Sequence, residues 1–206
     1  MYIVASGTDA FRAQAYVNKL VQDAKTKYGS ELTVEQIDGT DEAALEKLTT
    51  LGASGSLFGG RTVAVVRHAL AFPEALRAAL KARPALANDT ETVIIFSAAG
   101  GASRGEAGAN RGGSAAGTGA KAGTAGGEKL SKAQTELLAE IEAAAKRVKK
   151  FEKLNEAQLA EWLAEYARAS AIRIEPSATR VIARTSRDTW HAVTTLEQLA
   201  AFAGYE

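Results

Sequence analysis

The chain contains no cysteine and only two histidines among its 206 residues. Without cysteine it can form neither a disulfide framework nor a thiolate metal site, which is compatible with a reducing compartment. His68 and His191 are far apart in the sequence, and neither has partners at zinc-ligand spacing. No sequence signature assembles a nucleophile, a base and an orienting acid. The sequence therefore predicts no metal centre, no cofactor and no catalytic site.

The sequence also lacks an excess of charge and a long apolar run. Lys and Arg number 25 against 24 Asp and Glu, and the net charge of +1 gives no electrostatic reason to expect nucleic acid. No run approaches the roughly 18–20 apolar residues of a membrane span. The first residues have neither the basic region nor the apolar stretch of a signal peptide. We therefore expect a cytoplasmic protein with no membrane partner.

Short apolar runs alternate with amphipathic segments through the first part of the chain. This alternation implies a parallel sheet that is covered on both faces. Strands are predicted at residues 2–5, 32–37, 62–66 and 92–97. A first helix is predicted to follow Thr8 or Asp9 and to stop near Gly29, and further helices are predicted at residues 41–51 and 73–82. Either Thr8 or Asp9 is expected to cap the first helix, whose apolar stripe is Phe11, Ala15, Leu20 and Val21. The predicted fold class is α/β, with a five-stranded, mostly parallel sheet and helices on both faces.

A composition shift marks an insert inside this α/β domain, which we assign to residues 1–152. Residues 98–127 are almost entirely Gly, Ala, Ser and Thr, and they hold eleven of the nineteen glycines. Such a segment buries too little apolar surface to offset its ordering entropy, so we expect a flexible loop. Its function is either that of a spacer or, through its few basic groups, that of a nucleic-acid contact.

Residues 153–206 are predicted to form a small all-helical domain. Helices are expected at residues 156–169, 177–185 and 188–202, and Asn155 is the expected cap of the first. Trp162 and Trp190 are predicted to lie in the core of this domain. The last helix is predicted to carry an apolar stripe of Val193, Leu196, Leu199 and Phe202.

The run Lys146-Arg147-Val148-Lys149-Lys150-Phe151 has two interpretations. Four basic residues in six are typical of a nucleic-acid contact. The same run also fits the fifth strand at the edge of the sheet, with Val148 and Phe151 inward. Outward lysines would then protect that edge from aggregation.

The turn after the first strand is where a phosphate-binding loop would lie, and it lacks the required motif. Such a loop needs Gly-x-x-x-x-Gly-Lys-Ser/Thr, because backbone N–H groups, a lysine and a hydroxyl that holds Mg²⁺ must converge on the phosphates. The chain instead has Ser6-Gly7-Thr8-Asp9, and Asp9 would bring a like charge toward a phosphate. The third strand ends in Arg67-His68 rather than in a metal-binding acidic pair. We therefore expect no nucleotide hydrolysis.

Two large apolar residues, Leu57 and Phe58, lie among glycines just before the third strand. Glycine on both sides lets the backbone turn sharply. The pair is either folded back into the core or presented to a partner. Burying both side chains stabilises by roughly 3–6 kcal/mol, which is enough to anchor a small interface.

Several motifs in order resemble one family. They are the opening strand with Gly7-Thr8-Asp9 and Phe11, the segment Ser56-Leu57-Phe58-Gly59-Gly60-Arg61 with its strand, the fourth strand with Lys129-Leu130-Ser131-Lys132, the run from Phe151 to Trp162, and the last helix from Arg187-Asp188 to Ala200. Together they resemble the delta subunit of bacterial DNA polymerase III, the clamp-loader subunit that opens the sliding clamp. The resemblance implies an AAA+-like α/β domain without a functional phosphate loop, followed by a helical lid domain.

The resemblance also implies a function and a site. Leu57 and Phe58 would insert into a hydrophobic pocket of the sliding clamp (the beta subunit), while Ser56, Gly59 and Arg61 would shape the loop. Other clamp-loader subunits (gamma/tau and delta prime) would be partners and would use the ATP, and primer–template DNA would be an indirect partner. The chain would thus belong to a DNA-directed DNA polymerase holoenzyme, a nucleotidyltransferase, without a catalytic site of its own.

The chain departs from the family in three ways. The insert is unusually long, Trp190 stands where a basic residue is common, and the helical collar domain that the family would have is missing after Glu206, so we expect either that this chain is a fragment or that the collar is supplied otherwise. Two other functions therefore stay open: an ATP-dependent AAA+ loader subunit, and a DNA-binding module that uses residues 146–150 and the insert. Tight ATP binding would favour the first, and salt-dependent DNA affinity the second.

Overall fold

The computed structural model describes residues 1–51, 60–99 and 130–204. Within them, five strands form one sheet in the order β2-β3-β4-β1-β5, and all neighbouring strands are parallel. The strands are β1 (Tyr2–Gly7), β2 (Leu32–Asp38), β3 (Arg61–Arg67), β4 (Thr92–Ala99) and β5 (Arg147–Phe151). The predicted fold class is confirmed.

Helices cover both faces of the sheet, which explains why its central strands are almost wholly apolar. Helix α1 (Ala10–Tyr28) packs Ala13 and Val17 against Ile3 and Ala5 of β1 on one face. The larger core cluster lies on the other face. It is covered by α2 (Glu42–Leu45), α3 (Lys47–Thr50), α4 (Pro73–Ala82) and α5 (Lys132–Ala144).

Local signals account for where the helices of the α/β part begin. Asp9 is the cap of α1, and its side chain accepts a hydrogen bond from the Arg12 backbone N–H. Ser131 and Gln134 form a capping box at the start of α5. Pro73 occupies the first turn of α4, where its missing N–H has no cost.

Three details of this part differ from the sequence predictions. Residues 41–51 form two short helices, because the Glu46 N–H bonds three residues back to the Ala43 carbonyl and interrupts the α-helical ladder. Ala15 is exposed, since the inner face of α1 carries Ala13 and Val17, four residues apart. Strand β4 continues to Ala99, inside the range assigned to the insert, because it stays paired with the end of β1.

Strand β5 lies at the edge of the sheet, as one interpretation of the basic run predicted. The inward placement of Val148 is wrong: Val148 is 37% exposed, whereas Phe151 is 5% exposed. Successive residues of a strand alternate between the two faces, so residues three apart cannot share one. Phe151 faces Tyr16 of α1, and Val148 lies on the opposite face.

Three further helices, α6 (Glu156–Ala169), α7 (Pro176–Thr185) and α8 (Thr189–Phe202), form what we call the helical part. Asn155 caps α6 through a capping box with Gln158, as the sequence predicted for the cap. A separate apolar cluster holds the three helices together: Leu159, Leu163, Ala167, Ile182, Ala183, Ala192, Val193 and Leu196. Phe11 of α1 packs against this cluster and so joins the helical part to the sheet.

The predicted core position of Trp190 is wrong, because its side chain is 65% exposed. Helix α8 turns Ala192, Val193 and Leu196 inward, and Trp190 lies on the flank, edge-on to Phe11 at 5.5 Å between ring centroids. Trp162 is half-buried against the same Phe11 ring. The far end of the predicted stripe is exposed too, at Leu199 (51%) and Phe202 (93%).

Candidate functional site

The two sequence features of interest belong to opposite edges of the parallel sheet. The segment that carries Leu57 and Phe58 leads into the first residue of β3, so it joins the edge where the strands begin. The turn that would be a phosphate loop connects β1 to α1, at the edge where the strands end. We call these two sides, where the strands begin and where they end, the amino edge and the carboxyl edge; they are distinct from the lateral edge formed by β5.

Four of the five predicted site residues lie outside the described residues: Ser56, Leu57, Phe58 and Gly59. Their role stays a prediction. The structure does describe the fifth, Arg61, and both ends of the segment at residues 52–59. Those two ends are Leu51, which precedes the segment, and Gly60, which follows it.

Arg61 anchors the chain that follows residues 52–59, at the amino edge. It is the first residue of β3 and pairs with Leu32 of β2. Its guanidinium lies over the Tyr28 ring at 4.6 Å and donates a hydrogen bond of 3.1 Å to the Tyr28 hydroxyl. A cation over an aromatic face is favourable by about 0.5–1 kcal/mol at an exposed site. Arg61 therefore ties the start of β3 to the end of α1.

A second arginine, Arg83, anchors the chain that precedes residues 52–59. Its Nη1 and Nη2 donate to the carbonyls of Thr49 and Leu51 at 3.0 and 3.1 Å. Leu51 itself is buried in the core beneath α4. No local signal in the sequence identifies Arg83, because its partners lie more than thirty residues away.

At the carboxyl edge, the β1–α1 turn is closed by its own chain. Gly7 has φ of 123°, and a Cβ there would lie 2.3 Å from the Phe151 carbonyl oxygen, so only glycine fits. The Asp9 N–H donates to that same carbonyl at 2.9 Å. The Lys153 N–H donates to the Thr8 hydroxyl at 3.0 Å. The turn is thereby fixed to the segment that leads from β5 to α6.

The Asp9 carboxylate occupies the N-terminus of α1. It accepts from the Arg12 N–H at 3.1 Å and from the Thr189 hydroxyl at 2.6 Å, and Arg12 Nη1 lies 3.5 Å away. Asp9 is only 6% exposed. The N-terminus of a helix is where a phosphate would be bound by free N–H groups and the helix dipole. In this chain a buried side-chain anion fills that position.

A small polar cluster connects the ends of β2 and β3. Asp38 Oδ1 accepts from the Thr40 N–H at 3.0 Å and the Thr40 hydroxyl at 2.8 Å, and lies 3.1 Å from His68 Nδ1. The hydrogen bond from the Thr40 N–H, with those from the Thr40 hydroxyl and His68, lowers the pKa of Asp38. Among the described residues no group of three or more His, Asp or Glu could hold a metal ion.

The basic run on β5 is mostly exposed. Lys150 pairs with Glu142 of α5 at 3.1 Å, and the second oxygen of that carboxylate accepts from the Ser6 hydroxyl at 3.0 Å. Arg147 and Lys149 lie on the edge strand, and Lys146 directly precedes it. The edge position fits the protective role, and contact with nucleic acid stays a hypothesis. In the part of the chain that the structure describes, no helix has the length and apolar character to span a membrane.

No protein-family model and no curated protein sequence matches the chain. Its fold does match solved structures. RuvB of Thermotoga maritima, a Holliday junction branch migration motor, matches 95% of this chain and 53% of its own, with a TM-score of 0.54 and 12% identity. The ORC2 protein of Aeropyrum pernix matches 98% of this chain and 58% of its own, with a TM-score of 0.56 and 9% identity.

The DNA clamp loader delta protein of Bacillus subtilis is a third match. The match covers 98% of this chain and 53% of the delta protein, with a TM-score of 0.50 and 14% identity. The chain thus spans about half the length of the structures that it matches. At these identities the likeness shows the fold alone, and that fold is the AAA+-like α/β architecture.

Proposed function

We propose that the chain is a clamp-loader subunit that binds the sliding DNA clamp and favours its opening without hydrolysing ATP itself. The observation that carries the proposal is the buried Asp9 carboxylate at the start of α1, within an AAA+-like fold. A subunit of this fold whose phosphate position holds its own anion is suited to binding a partner rather than to hydrolysis. The likeness to a clamp loader delta protein supports the choice of partner.

In this proposal Leu57 and Phe58 form the contact with the clamp, and we call this pair the wedge. They lie in the segment whose two ends are held by Arg83 and Arg61 at the amino edge. Two fixed ends lower the entropy cost of ordering a short segment in its bound form. Ser56 and Gly59 flank the pair and would set its direction, which is where a small or flexible residue is useful.

The proposed mechanism is a shift in the conformational equilibrium of the clamp. A ring held by its subunit interfaces opens only insofar as the wedge binds the open form more tightly than the closed one. The free energy for opening would then come from differential binding of Leu57 and Phe58. ATP would act through neighbouring subunits of the loader (gamma/tau and delta prime in the family that the sequence resembles), and primer–template DNA would be engaged by the assembly.

The test measures binding to the sliding clamp of the same organism. We expect the double variant Leu57→Ala/Phe58→Ala to bind at least one hundredfold more weakly than the wild type, because truncating two anchor residues costs several kcal/mol. The matched control is Leu199→Ala/Phe202→Ala, which removes two exposed apolar side chains from α8 and should bind as the wild type does.

A thermal melt of the same variants separates binding from folding. The wedge variant should melt within about 2 °C of the wild type, because surface changes alter stability by less than about 0.5 kcal/mol. If the variant loses its fold, the pair belongs to the core and the proposed wedge is wrong. Unchanged clamp binding by a folded variant would equally contradict the proposal.

A further inference from the structure

Besides the packing of Phe11, a buried polar pair joins the helical part to the sheet part. The Thr189 hydroxyl, at the first residue of α8, donates to Asp9 Oδ2 at 2.6 Å, although the two residues are 180 positions apart. Thr189 is 5% exposed and Asp9 is 6% exposed. A short hydrogen bond to a buried carboxylate is among the stronger kinds in proteins, and losing one partner leaves the other unsatisfied.

The Asp9 carboxylate serves both sides of the junction at once. Its Oδ1 accepts from the Arg12 N–H and caps α1, while its Oδ2 accepts from Thr189 and lies 3.5 Å from Arg12 Nη1. Arg12 Nη1 also donates to the Glu152 carbonyl at 3.2 Å, in the segment that leads to α6. One anion therefore links the start of α1 to the start of α8 and, through Arg12, to the connecting segment.

Aromatic packing beside the pair is directional. The Phe11 ring lies edge-on to Trp162 at 6.1 Å, to Tyr166 at 6.2 Å and to Trp190 at 5.5 Å between centroids. These contacts add apolar area and a preferred geometry. They bury apolar surface at the junction, and the buried Asp9–Thr189 pair favours an orientation in which its polar groups are satisfied.

We propose that Asp9 and Thr189 form a latch that holds the helical part on the β1–α1 turn without any bound ligand. The latch makes the junction close by default, because the anion that completes it is covalently part of the chain. Moving the helical part away from the β1–α1 turn would separate a buried carboxylate from a buried hydroxyl. That motion therefore requires the contact between Asp9 and α8 to break. This inference does not depend on the proposed clamp binding, and the purified chain alone tests it.

The test is amide hydrogen exchange read by mass spectrometry on the full chain. In Thr189→Val, which keeps the shape but removes the hydroxyl, we expect amides at the start of α8 and in residues 152–155 to exchange about tenfold faster. Amides of β4 should keep wild-type protection. Thr189→Ser, which retains the donor, should restore most of the protection.

The matched control is Thr195→Val, the same substitution in the same helix. The Thr195 hydroxyl donates only to the His191 carbonyl one turn earlier, so its removal should leave the junction amides within twofold of the wild type. If Thr195→Val accelerates exchange at the junction as much as Thr189→Val does, the effect is one of helix composition and the latch is wrong.

A double-variant cycle ties the effect to the pair. Asp9→Ser keeps a capping acceptor for the Arg12 N–H but is too short to reach Thr189 as well. In the Asp9→Ser background, Thr189→Val should change junction exchange by less than twofold, because the bond is already gone. A full tenfold effect in that background, or no effect of Thr189→Val alone, would overturn the proposal.

Discussion

The carboxyl edge of the sheet is closed by contacts within the chain, whereas the amino edge bears the segment that we propose binds a partner. At the carboxyl edge, where parallel α/β sheets usually bind ligands, the β1–α1 turn is filled by Asp9 and fixed to residues 151–153. At the amino edge, Arg83 and Arg61 hold the two ends of the segment that carries Leu57 and Phe58. The comparison teaches that one edge has become structural, while the other carries the predicted partner contact.

The largest effect on stability is expected when a side chain is added at Gly7, at the carboxyl edge. Gly7→Ala places a Cβ 2.3 Å from the Phe151 carbonyl oxygen and puts a side chain at φ of 123°. We expect a loss of about 3 kcal/mol or more in the free energy of unfolding, measured by urea denaturation.

Gly29→Ala is the matched control for this substitution. Gly29 also has positive φ, at 55°, but nothing lies within 4 Å of the added Cβ. Its ψ of −129° lies outside the left-handed helical region, so the control should cost about 1–3 kcal/mol from backbone strain alone, less than Gly7→Ala, which adds a steric clash. Equal losses for Gly7→Ala and Gly29→Ala would show that the turn is not closely packed, and the contrast between the edges would fail.

An intermediate effect is expected at the amino edge. Arg83→Ala leaves the Thr49 and Leu51 carbonyls without their donor, so we expect a loss of about 1–3 kcal/mol in unfolding free energy. Arg61→Ala removes an exposed contact with Tyr28 and should cost about 0.5–1 kcal/mol. Urea titrations of the two variants rank the two ends, and a larger loss for Arg61→Ala would contradict the ranking.

The smallest effect concerns pH. The pKa of Asp38 is lowered first by the Thr40 N–H, so the folded state binds a proton less readily than the unfolded state. The stabilisation is present above the unfolded value of about 3.9 and is lost as the pH falls through the folded pKa. The melting temperature, measured from about pH 6 down to about pH 3, a range that reaches below the unfolded pKa, should fall less in Asp38→Asn than in the wild type. Parallel curves would refute this assignment.

Most of the fold follows from local patterns. The alternation of apolar runs with amphipathic segments predicted the parallel sheet. Asn155 was predicted as a cap, and so was one of Thr8 and Asp9, because a cap's side chain bonds within the next turn; the structure shows Asp9. Local rules fail where tertiary packing decides. Trp190 lies on the flank of α8 because smaller residues fill its inner face. Period-two alternation along a strand excludes a shared face for Val148 and Phe151.

The candidate site was less predictable. The sequence indicates Leu57 and Phe58 and the missing phosphate motif, because both are local. It does not indicate the Arg83 contacts or the Asp9–Thr189 pair, because these join residues that are far apart in the chain. Such contacts depend on how the elements pack, and one sequence carries no signal for them.

The most direct measurement of the central claim is the affinity of the wild-type chain for the sliding clamp of its own organism, with and without ATP and Mg²⁺. We predict measurable binding that nucleotide leaves unchanged, and no heat of ATP binding to the chain alone. Failure to bind the clamp, or binding that requires ATP, would contradict this claim.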